Sequence, residues 1–392
     1  MKKYNWKIGI LALALTLNTC QKDEIRPSAT CTPKMAQQHP KGALYQEVID
    51  EYTRKGLPGI ALLIRDGAGE WSGAAGKADL EKGIAMQPCH ISKVASVTKL
   101  FLGVLVMQLV EDEVFSLDDP VHKWLSAKTI KKIANADQVT IRQLLNHSSG
   151  IYDLIDDNAF YLAILNSPGR KWKPDELLAY VRGDAAVFPP GTDVEYSNTN
   201  FLLAAMVIEA ATGQSHALLM RQRILDPLGL SDSYYHWHEA LPAGRVAQGY
   251  FDLYNNGTLL EMSNFNTGSG NGYGGLYSTV YDMSTFIEAL LRDKTLLPPN
   301  RLEEMLTITS EDLNTMEAYG VTIRKDFLER APNEYGLGHR GRDLAYSADL
   351  FYFPNQDITM AYLINYGTDA KSELREVFFA FRTAIVDAMM EP

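Results

Sequence analysis

The spacing of apolar residues changes along the chain and predicts different kinds of segment. Near the start, Leu44, Val48 and Tyr52 recur every four residues among polar positions, which predicts an amphipathic helix. Two short apolar runs follow, over 60–64 and 71–75, with glycines nearby. These runs predict a β-hairpin.

The middle and the end of the chain differ in the same way. Helical spacing dominates the middle, in the segments 94–112, 139–146, 174–182, 200–212, 216–225 and 281–292. Strand signals return later, at 319–324, 334–338, 344–353 and 358–365. A last apolar stripe predicts a terminal helix that lies on the sheet, and it consists of Leu374, Phe378, Phe381 and Ile385.

Strands near both ends with helices between them predict an α+β fold. We expect one antiparallel sheet, built from about 43–93 and 315–390 and flanked by the two terminal helices. A helical subdomain over about 94–314 is inserted between these segments. A binding site is expected where the sheet meets the helical subdomain.

The first twenty residues predict export. Three lysines precede an apolar run over 8–17, and Cys20 follows it. The run is too short for a transmembrane helix, which needs about 20 apolar residues. We therefore expect 1–19 to be a cleaved signal peptide.

Cys20 and its neighbours predict a lipid anchor. Residues 17–20 resemble a bacterial lipobox, in which the cysteine becomes the lipidated first residue, although Thr19 departs from the usual small residue. A plain secretory signal, in which Cys20 has no role, is the alternative. Residues 21–24 resemble the surface-export signal of Bacteroidetes lipoproteins. We expect the protein to be anchored by lipid to the bacterial cell envelope, at the outer membrane. Whether it faces the periplasm or the cell surface is left open.

Between this start and the first helix, 20–42 is rich in proline and polar residues, which predicts a flexible tether. Two further cysteines, Cys31 and Cys89, are expected to pair, because an exported chain meets an oxidising compartment. Two free thiols remain the alternative, since pairing requires Cα atoms within about 7 Å.

Composition narrows the function classes. A hydrophobic fraction of 46% and a charged fraction of 22% are typical of a globular protein. The net charge of −11 argues against a nucleic-acid partner, because such proteins usually carry a basic face. The oligomeric state is not predicted.

Ser96 and Lys99 are the first candidates for chemistry. They lie one turn apart where a helix is predicted to begin, so their side chains share a face. A hydroxyl becomes a nucleophile only when a base takes its proton, and an amine can do so if burial or a nearby cation keeps it neutral. The helix start also offers N–H groups to an oxyanion.

Two further motifs follow in the chain. Tyr196 and Asn198 flank one serine, and a phenol and an amide at this spacing can both point into a cleft, one to relay a proton and one to hold a substrate amide. Residues 338–341, Gly-His-Arg-Gly, precede a long strand, where glycine permits a close approach to a ligand.

The ordered motifs SVTK, YSN and HRG resemble those of class C β-lactamases and the related penicillin-binding D-alanyl-D-alanine carboxypeptidases, D-aminopeptidases and esterases. The resemblance extends over roughly 43–390. Further stretches agree, namely SLDDP at 116–120, IRQLLNHSSG at 141–150, FPPGTDVEYSN at 188–198 and GGLYST at 274–279. The resemblance implies a β-lactamase/transpeptidase-like fold and an acyl-enzyme hydrolase.

The resemblance also implies roles for individual residues. Ser96 would be acylated, Lys99 and Tyr196 would share the proton transfers, and Asn198 would orient the substrate. His339 stands where the family usually has lysine, and we expect it to donate to Tyr196 or to a substrate carboxylate.

The third motif also departs from the family pattern. The oxyanion hole would be the N–H groups of Ser96 and Arg342, with Gly341 beside the substrate. Arg342 and Ala345 stand where glycines are common in the family. Arg340 and Arg342 are candidates for binding a substrate carboxylate, and solvated charges on a strand edge are the alternative.

Three other histidines are not expected to take part in catalysis or metal binding. His147 lies in a stretch that is structural in the family, so we expect a hydrogen-bonded core histidine. His236 and His238 lack a set of further ligands at metal-binding spacing. The sequence therefore predicts neither a metal nor a cofactor.

The leading functional hypothesis is a D,D-carboxypeptidase-like serine hydrolase that acts on small peptides of the cell envelope. An esterase or a class C-like β-lactamase is the alternative, because the same nucleophile and oxyanion hole serve all three. A catalytically silent ligand-binding lipoprotein is the alternative of another class.

Overall fold

The computed structural model describes residues 24–34, 38–312, 317–368 and 372–391. The expected signal peptide and Cys20 lie outside these ranges. Ten α-helices are described: α1 Gly42–Arg54, α2 Thr98–Glu111, α3 Ile141–Leu145, α4 Asn158–Asn166, α5 Pro174–Leu178, α6 Asn198–Thr212, α7 His216–Met220, α8 Val280–Leu291, α9 Pro299–Leu306 and α10 Glu373–Met390.

Fourteen strands are described in the same ranges: β1 Gly59–Asp66, β2 Gly69–Asp79, β3 Ile84–Ala85, β4 Ser92–Lys93, β5 Tyr234–Tyr235, β6 Tyr250–Phe251, β7 Leu260–Glu261, β8 Leu276–Ser278, β9 Ser310–Asp312, β10 Glu317–Tyr319, β11 Arg324–Asp326, β12 Gly336–Asp343, β13 Tyr346–Phe353 and β14 Ile358–Ile364.

The main sheet joins the two ends of the chain, as the sequence predicted. Its nine strands follow the order β3-β2-β1-β14-β13-β12-β11-β10-β9, and every neighbouring pair is antiparallel. Ile60 of β1 lies opposite Ile364 of β14, so strands about 300 residues apart in sequence pair directly. The α+β fold is therefore confirmed.

Two apolar layers cover the two faces of this sheet. On one face, α1 and α10 pack through side chains such as Tyr45, Ile49 and Phe381. On the other face lies the larger core, which includes α2 and α6. Twelve of the 14 residues of α2 are buried, so this helix is apolar around its whole circumference and lies inside the protein.

The inserted region is less uniformly helical than predicted. β4, β8 and β5 form a small sheet within it, and β6 pairs with β7. Two helices were not predicted: α4, whose apolar residues are almost continuous, and α9, which is only eight residues long although its apolar residues do follow a helical period. Among the described residues no single helix is long and apolar enough to span a membrane. Helix α6 and the segment 216–225, which are joined at a bend, reach the necessary length and composition only when taken together.

The N-terminal segment corrects the expected flexible tether. Ile25 is 5% exposed and packs in a cluster with Ile91, Val246 and Tyr277. Ser28 donates a hydrogen bond to Val246 O over 2.7 Å. The described residues 24–34 therefore lie against the domain, because an isoleucine and a serine within the proline-rich stretch find partners on its surface.

Cys31 and Cys89 are joined by a disulfide, with their Cα atoms 6.2 Å apart. The bond links this N-terminal segment to the loop before β4. It therefore secures the segment close to the turn that carries Ser96.

Candidate active site

Ser96 lies in the middle of a short 3₁₀ turn, Ala95–Val97, that connects β4 to α2. Ala95 adopts φ +49°, a left-handed conformation that is uncommon for a residue with a side chain. Val94 N donates to Leu276 O over 3.0 Å, which fixes the start of the turn to β8. The strained turn thus presents Ser96 at the start of a buried helix.

Gly341 of β12 allows the sheet to approach this turn. A Cβ atom at position 341 would lie 2.1 Å from Val94 O, closer than any real contact. Glycine is required here by the approach of the nucleophile's own turn, whereas the sequence analysis assigned it to the approach of a ligand.

Lys99 has three polar neighbours. Its Nζ lies 2.9 Å from Ser96 Oγ, 2.8 Å from Asn198 Oδ1 and 2.6 Å from Tyr273 O. A neutral amine has two N–H donors and one lone pair. The two carbonyl oxygens can take both donors, which leaves the lone pair facing the hydroxyl of Ser96.

The environment of Lys99 favours this neutral form. Burial lowers the pKa of Lys99 from 10.5 to about 7, while the negative charges of Asp153 and Asp343 partly oppose the shift. A substantial fraction of Lys99 is therefore neutral near pH 7, as a general base for Ser96 requires.

Asn198 connects Lys99 to a further buried side chain. Its Oδ1 accepts from Lys99, and its Nδ2 donates to Asp153 Oδ2 over 2.8 Å. Both ends of the amide are thus engaged within the protein, although the residue lines the cavity beside Ser96. Asn198 holds Lys99 in place, and its expected role in orienting the substrate stays a prediction.

Asp153 is the site residue that the sequence analysis missed. It is 6% exposed, and burial raises its pKa to about 6. It also caps the 3₁₀ turn 154–156 through a bond from Ile155 N. In the sequence it follows the SSG stretch by three residues, and nothing local distinguishes it from an ordinary capping aspartate.

Tyr196 lies above Lys99, with Lys99 Nζ 5.0 Å from its ring centroid. Its ring stacks on that of His147 with centroids 4.4 Å apart. Ser197 N donates to His147 Nδ1 over 3.1 Å, and burial lowers the pKa of His147 well below its ordinary value. His147 is a neutral, hydrogen-bonded core histidine, as predicted, and it supports the ring of Tyr196.

His339 faces the same side, with its ring centroid 6.3 Å from that of Tyr196. Burial, followed by the charges of Arg324 and Lys99, holds the pKa of His339 well below its ordinary value. Its Nδ1 lies 2.6 Å from Arg340 O, so Nδ1 carries the proton and donates. Nε2 of the neutral ring can then only accept, which corrects the expectation that His339 donates to Tyr196 or the substrate.

The side chain of Arg342 is committed elsewhere. Its Nη1 forms an ion pair with Asp349 Oδ1 over 2.8 Å, and its guanidinium lies 4.5 Å from the ring centroid of Phe378 in α10. Successive residues of a strand point to opposite faces, so Arg342 and Arg340 project away from the face of Gly341. Arg342 also lines the cavity beside Ser96, so its pairing with Asp349 argues against binding of a substrate carboxylate, and that candidate role stays a prediction. An oxyanion hole formed by the N–H groups of Ser96 and Arg342 stays a prediction.

A cavity lies beside Ser96 and has two kinds of wall. Its apolar residues come chiefly from α4 and the turn before it: Ile155, Phe160, Tyr161, Ile164 and, opposite them, Leu344. Its polar side includes Thr267, Ser269 and Asp343. Asp343 is paired with Lys93 over 2.6 Å, so this side carries no net charge from the pair. Among the described residues no group of three His, Cys, Asp or Glu could hold a metal ion.

A serine at a helix start, a buried lysine in contact with it and a tyrosine ring over the lysine form the arrangement that a serine hydrolase of the acyl-enzyme type requires. The Beta-lactamase family model matches residues 42–383, and the chain belongs to this family. The hydrolase fold and the order of its motifs agree with this membership.

Two relatives of this chain are named for different activities. Esterase EstB of Burkholderia gladioli is 32% identical over 197 residues, which are 48% of this chain and 49% of the esterase. D-alanyl-D-alanine-carboxypeptidase/endopeptidase AmpH of Escherichia coli is 24% identical over 289 residues, 71% of this chain and 70% of AmpH. The first curated relatives are matched over 36% to 49% of their own length.

Among solved structures, a D-stereospecific amidohydrolase from a Streptomyces species is similar over most of its length. It is 29% identical, with a TM-score of 0.76, and the match covers 87% of this chain and 98% of that one.

Proposed function

We propose that the protein hydrolyses small amides or esters through an acyl-enzyme at Ser96, and that it prefers substrates without a free carboxylate beside the scissile bond. The observation that carries the preference is the commitment of Arg342 to Asp349. The geometry of Ser96, Lys99 and Asn198 supports the hydrolysis itself.

The reaction follows from the site. Neutral Lys99 takes the proton of Ser96 Oγ as this oxygen attacks the substrate carbonyl carbon, and a tetrahedral oxyanion forms. Collapse of the intermediate breaks the bond to the leaving amine or alcohol, which receives the proton from Lys99 through Tyr196. A water then attacks the acyl-enzyme with the same groups as base, and the acid product leaves with Ser96 restored.

Electrostatics support the substrate preference. Recognition of a carboxylate normally uses an arginine, a lysine or another strong donor free to face it. Among the described residues around the cavity, Arg342 is paired with Asp349, Lys93 with Asp343, and Lys99 is held by Asn198 and Tyr273. A substrate carboxylate that entered the cavity would therefore lose its hydration without gaining a cationic partner.

The apolar wall supports a second feature of the substrate. Ile155, Phe160 and Ile164 offer a surface that gains by excluding water, at roughly 25 cal/mol per Å² of apolar area removed. An aliphatic or aromatic side chain on the acyl group fits this wall. The likeness to a D-stereospecific amidohydrolase makes amides of apolar D-amino acids the first substrates to try.

D,D-carboxypeptidase activity, the leading hypothesis from the sequence, is the second candidate. The similarity to AmpH over 71% of this chain favours it. Against it stands the need to bind the terminal carboxylate of the peptide, because Arg342 and Lys93 are already paired with Asp349 and Asp343.

Matched substrates separate these candidates. One peptide ending in D-alanyl-D-alanine is assayed as the free acid and as the C-terminal amide, beside D-phenylalanine amide, an aryl ester and a fluorescent penicillin. We expect the amide forms to be cleaved with higher kcat/KM, and Ser96→Ala to cleave none. Preference for the free acid would refute the carboxylate argument. If no substrate or serine-directed probe reacts, the chain is a silent binding protein.

We also propose that Cys20 carries a lipid that holds the protein in the cell envelope. The basic start, the short apolar run and the position of Cys20 support this. Cys20→Ser should move the protein from the membrane fraction to the soluble fraction. Retention of that variant in the membrane fraction would refute this route of anchoring.

A further inference from the structure

Asp153 lies behind the catalytic lysine in a chain of close polar contacts. Its Oδ2 accepts from Asn198 Nδ2 over 2.8 Å, and Asn198 Oδ1 accepts from Lys99 Nζ over 2.8 Å. Asp153 Oδ1 accepts from Ile155 N over 3.3 Å. All three side chains are at least 94% buried, so water does not easily replace these contacts.

The contact with Asp153 decides which way round the amide of Asn198 sits. A side-chain amide has an acceptor end and a donor end of nearly the same shape, so either end could face Lys99. An ionised carboxylate only accepts hydrogen bonds. Asp153 therefore draws Nδ2 to itself and leaves Oδ1 for Lys99.

The orientation of this amide matters for the nucleophile. With Oδ1 toward it, Lys99 donates to Asn198 and to Tyr273 O, and its lone pair faces Ser96. With Nδ2 toward it, two donors would face each other across 2.8 Å. Lys99 would then rotate, and the lone pair would leave the line to Ser96 Oγ.

We propose that Asp153 is a positioning residue for acylation, which orients the amide of Asn198 so that the lone pair of Lys99 faces Ser96. The inference rests on the proposed acyl-enzyme function of this site. It adds a carboxylate to the Ser96, Lys99 and Tyr196 group without giving it contact with substrate.

The charge of Asp153 has a second effect on Lys99. It raises the pKa of Lys99 against the lowering by burial. The other titratable groups around the pair are Tyr152, Asp156, His147, Tyr196, Tyr273, His339 and Asp343, with Arg324 behind the two histidines. Removing the charge of Asp153 alone should therefore lower the pKa of Lys99.

The first test is the acylation rate with a serine-directed fluorophosphonate, measured from pH 5 to pH 10. Asp153→Asn keeps the shape but can present a donor to Asn198. We expect its plateau rate to fall roughly 10- to 100-fold, within the range of coupling between residues of one network. The acid limb of its pH–rate profile, where the acylation rate falls as the pH is lowered, should at the same time move to lower pH. A general loss of structure would not produce this shift. Asp156→Asn, the next carboxylate along the chain, is the matched control and should stay within about twofold of wild type.

A double-mutant cycle tests the route through Asn198. In the Asn198→Ala background, Asp153→Asn should cause little further loss, because the amide that Asp153 orients is absent. An undiminished loss would overturn the proposal. Wild-type acylation rates and acid limb in Asp153→Asn would overturn it as well.

An NMR titration of Lys99 with labelled lysine distinguishes failure of the positioning role from failure of the proposed acyl-enzyme function. If wild type is never acylated, the proposed function fails, yet the titration still reads the coupling. A fall in the Lys99 pKa in Asp153→Asn that is larger than the fall in the Asn198→Ala background supports the positioning role, because only the excess passes through the amide. An equal fall in both backgrounds is an effect of charge alone and refutes the role, as does an unchanged pKa. Asp153→Ser is the second variant should Asp153→Asn not fold, with the same expected direction.

Discussion

Strand β12 separates two groups of buried charges that behave in opposite ways. His339 and Gly341 face the nucleophile, whereas Arg340 and Arg342 alternate with them and face α10. One strand thus supplies residues both to the candidate active site and to an ion-pair layer under the terminal helix.

The ion-pair layer consists of direct contacts. Arg382 Nε lies 2.6 Å from Asp349 Oδ2, and Arg382 Nη2 lies 2.5 Å from Asp326 Oδ2. Arg342 completes the layer on the other oxygen of Asp349. Although burial alone would raise the pKa of Asp326, the neighbouring arginines hold it well below its usual value. Asp326 therefore stays ionised at a lower pH than an aspartate in water.

In the active site the charges are linked indirectly. The amide of Asn198 lies between Lys99 and Asp153, so neither ion has the other as a direct partner. Burial then brings the two pKa values toward each other, to about 7 for Lys99 and about 6 for Asp153. A direct ion pair preserves charge, whereas an interposed amide leaves a proton free to move near neutral pH.

The largest effect is expected for Lys99→Ala. Loss of the base should reduce acylation of Ser96 by about 10³-fold or more, within the range for a general base. Lys99→Arg should be equally inactive, because a guanidinium does not lose its proton. Stopped-flow acylation measures both, and an active Lys99→Ala would show that another group is the base.

Asp349→Ala tests the other side of the comparison. It leaves Arg342 and Arg382 buried without their shared carboxylate, so the free energy of unfolding should fall by about 3–5 kcal/mol. Acylation at low temperature, where the variant is still folded, should persist. Urea unfolding gives the stability, with Arg330→Ala as control because its exposed partner predicts a loss of at most about 1 kcal/mol. If both variants lost the same free energy of unfolding, the ion-pair layer would contribute no more to stability than an exposed ion pair.

His339→Ala should have a smaller effect on rate. An acceptor beside Tyr196 is lost, so kcat should fall by about 10²-fold. Since His339 is already neutral, with its pKa held far below its ordinary value, the acid limb of the pH profile should not move. His339→Lys should retain some activity. A shifted limb in His339→Ala would mean that the ring titrates during turnover.

The sequence predicted those parts of the site that are local or carried by a family motif. Ser96 and Lys99 are one helical turn apart, and their contact follows from that spacing. Asn198 lies 99 residues from Lys99 and 45 from Asp153, so no local pattern connects them. Only the fold brings the two partners of Asn198 together.

Other errors had a signal that was available. Strand alternation places Arg342 on the face opposite Gly341, so the pairing of its side chain with Asp349 could have been expected once the strand was predicted. For the supposed tether, Ile25 was the signal, because a flexible polar segment has little use for an isolated large apolar residue.

The central claim is that a neutral Lys99 activates Ser96, and the pH dependence of Ser96 acylation tests it most directly. Wild-type protein is treated with a serine-directed fluorophosphonate between pH 5 and pH 10, and the adduct is located by peptide mass spectrometry. Because the pKa of Lys99 is lowered from 10.5 to about 7, protonated lysine blocks the reaction below that value. The account predicts an adduct on Ser96 with a rate constant that rises through pH 7 and levels off above about pH 8. A rate that stays flat across this range, or that rises only near pH 10, would contradict it.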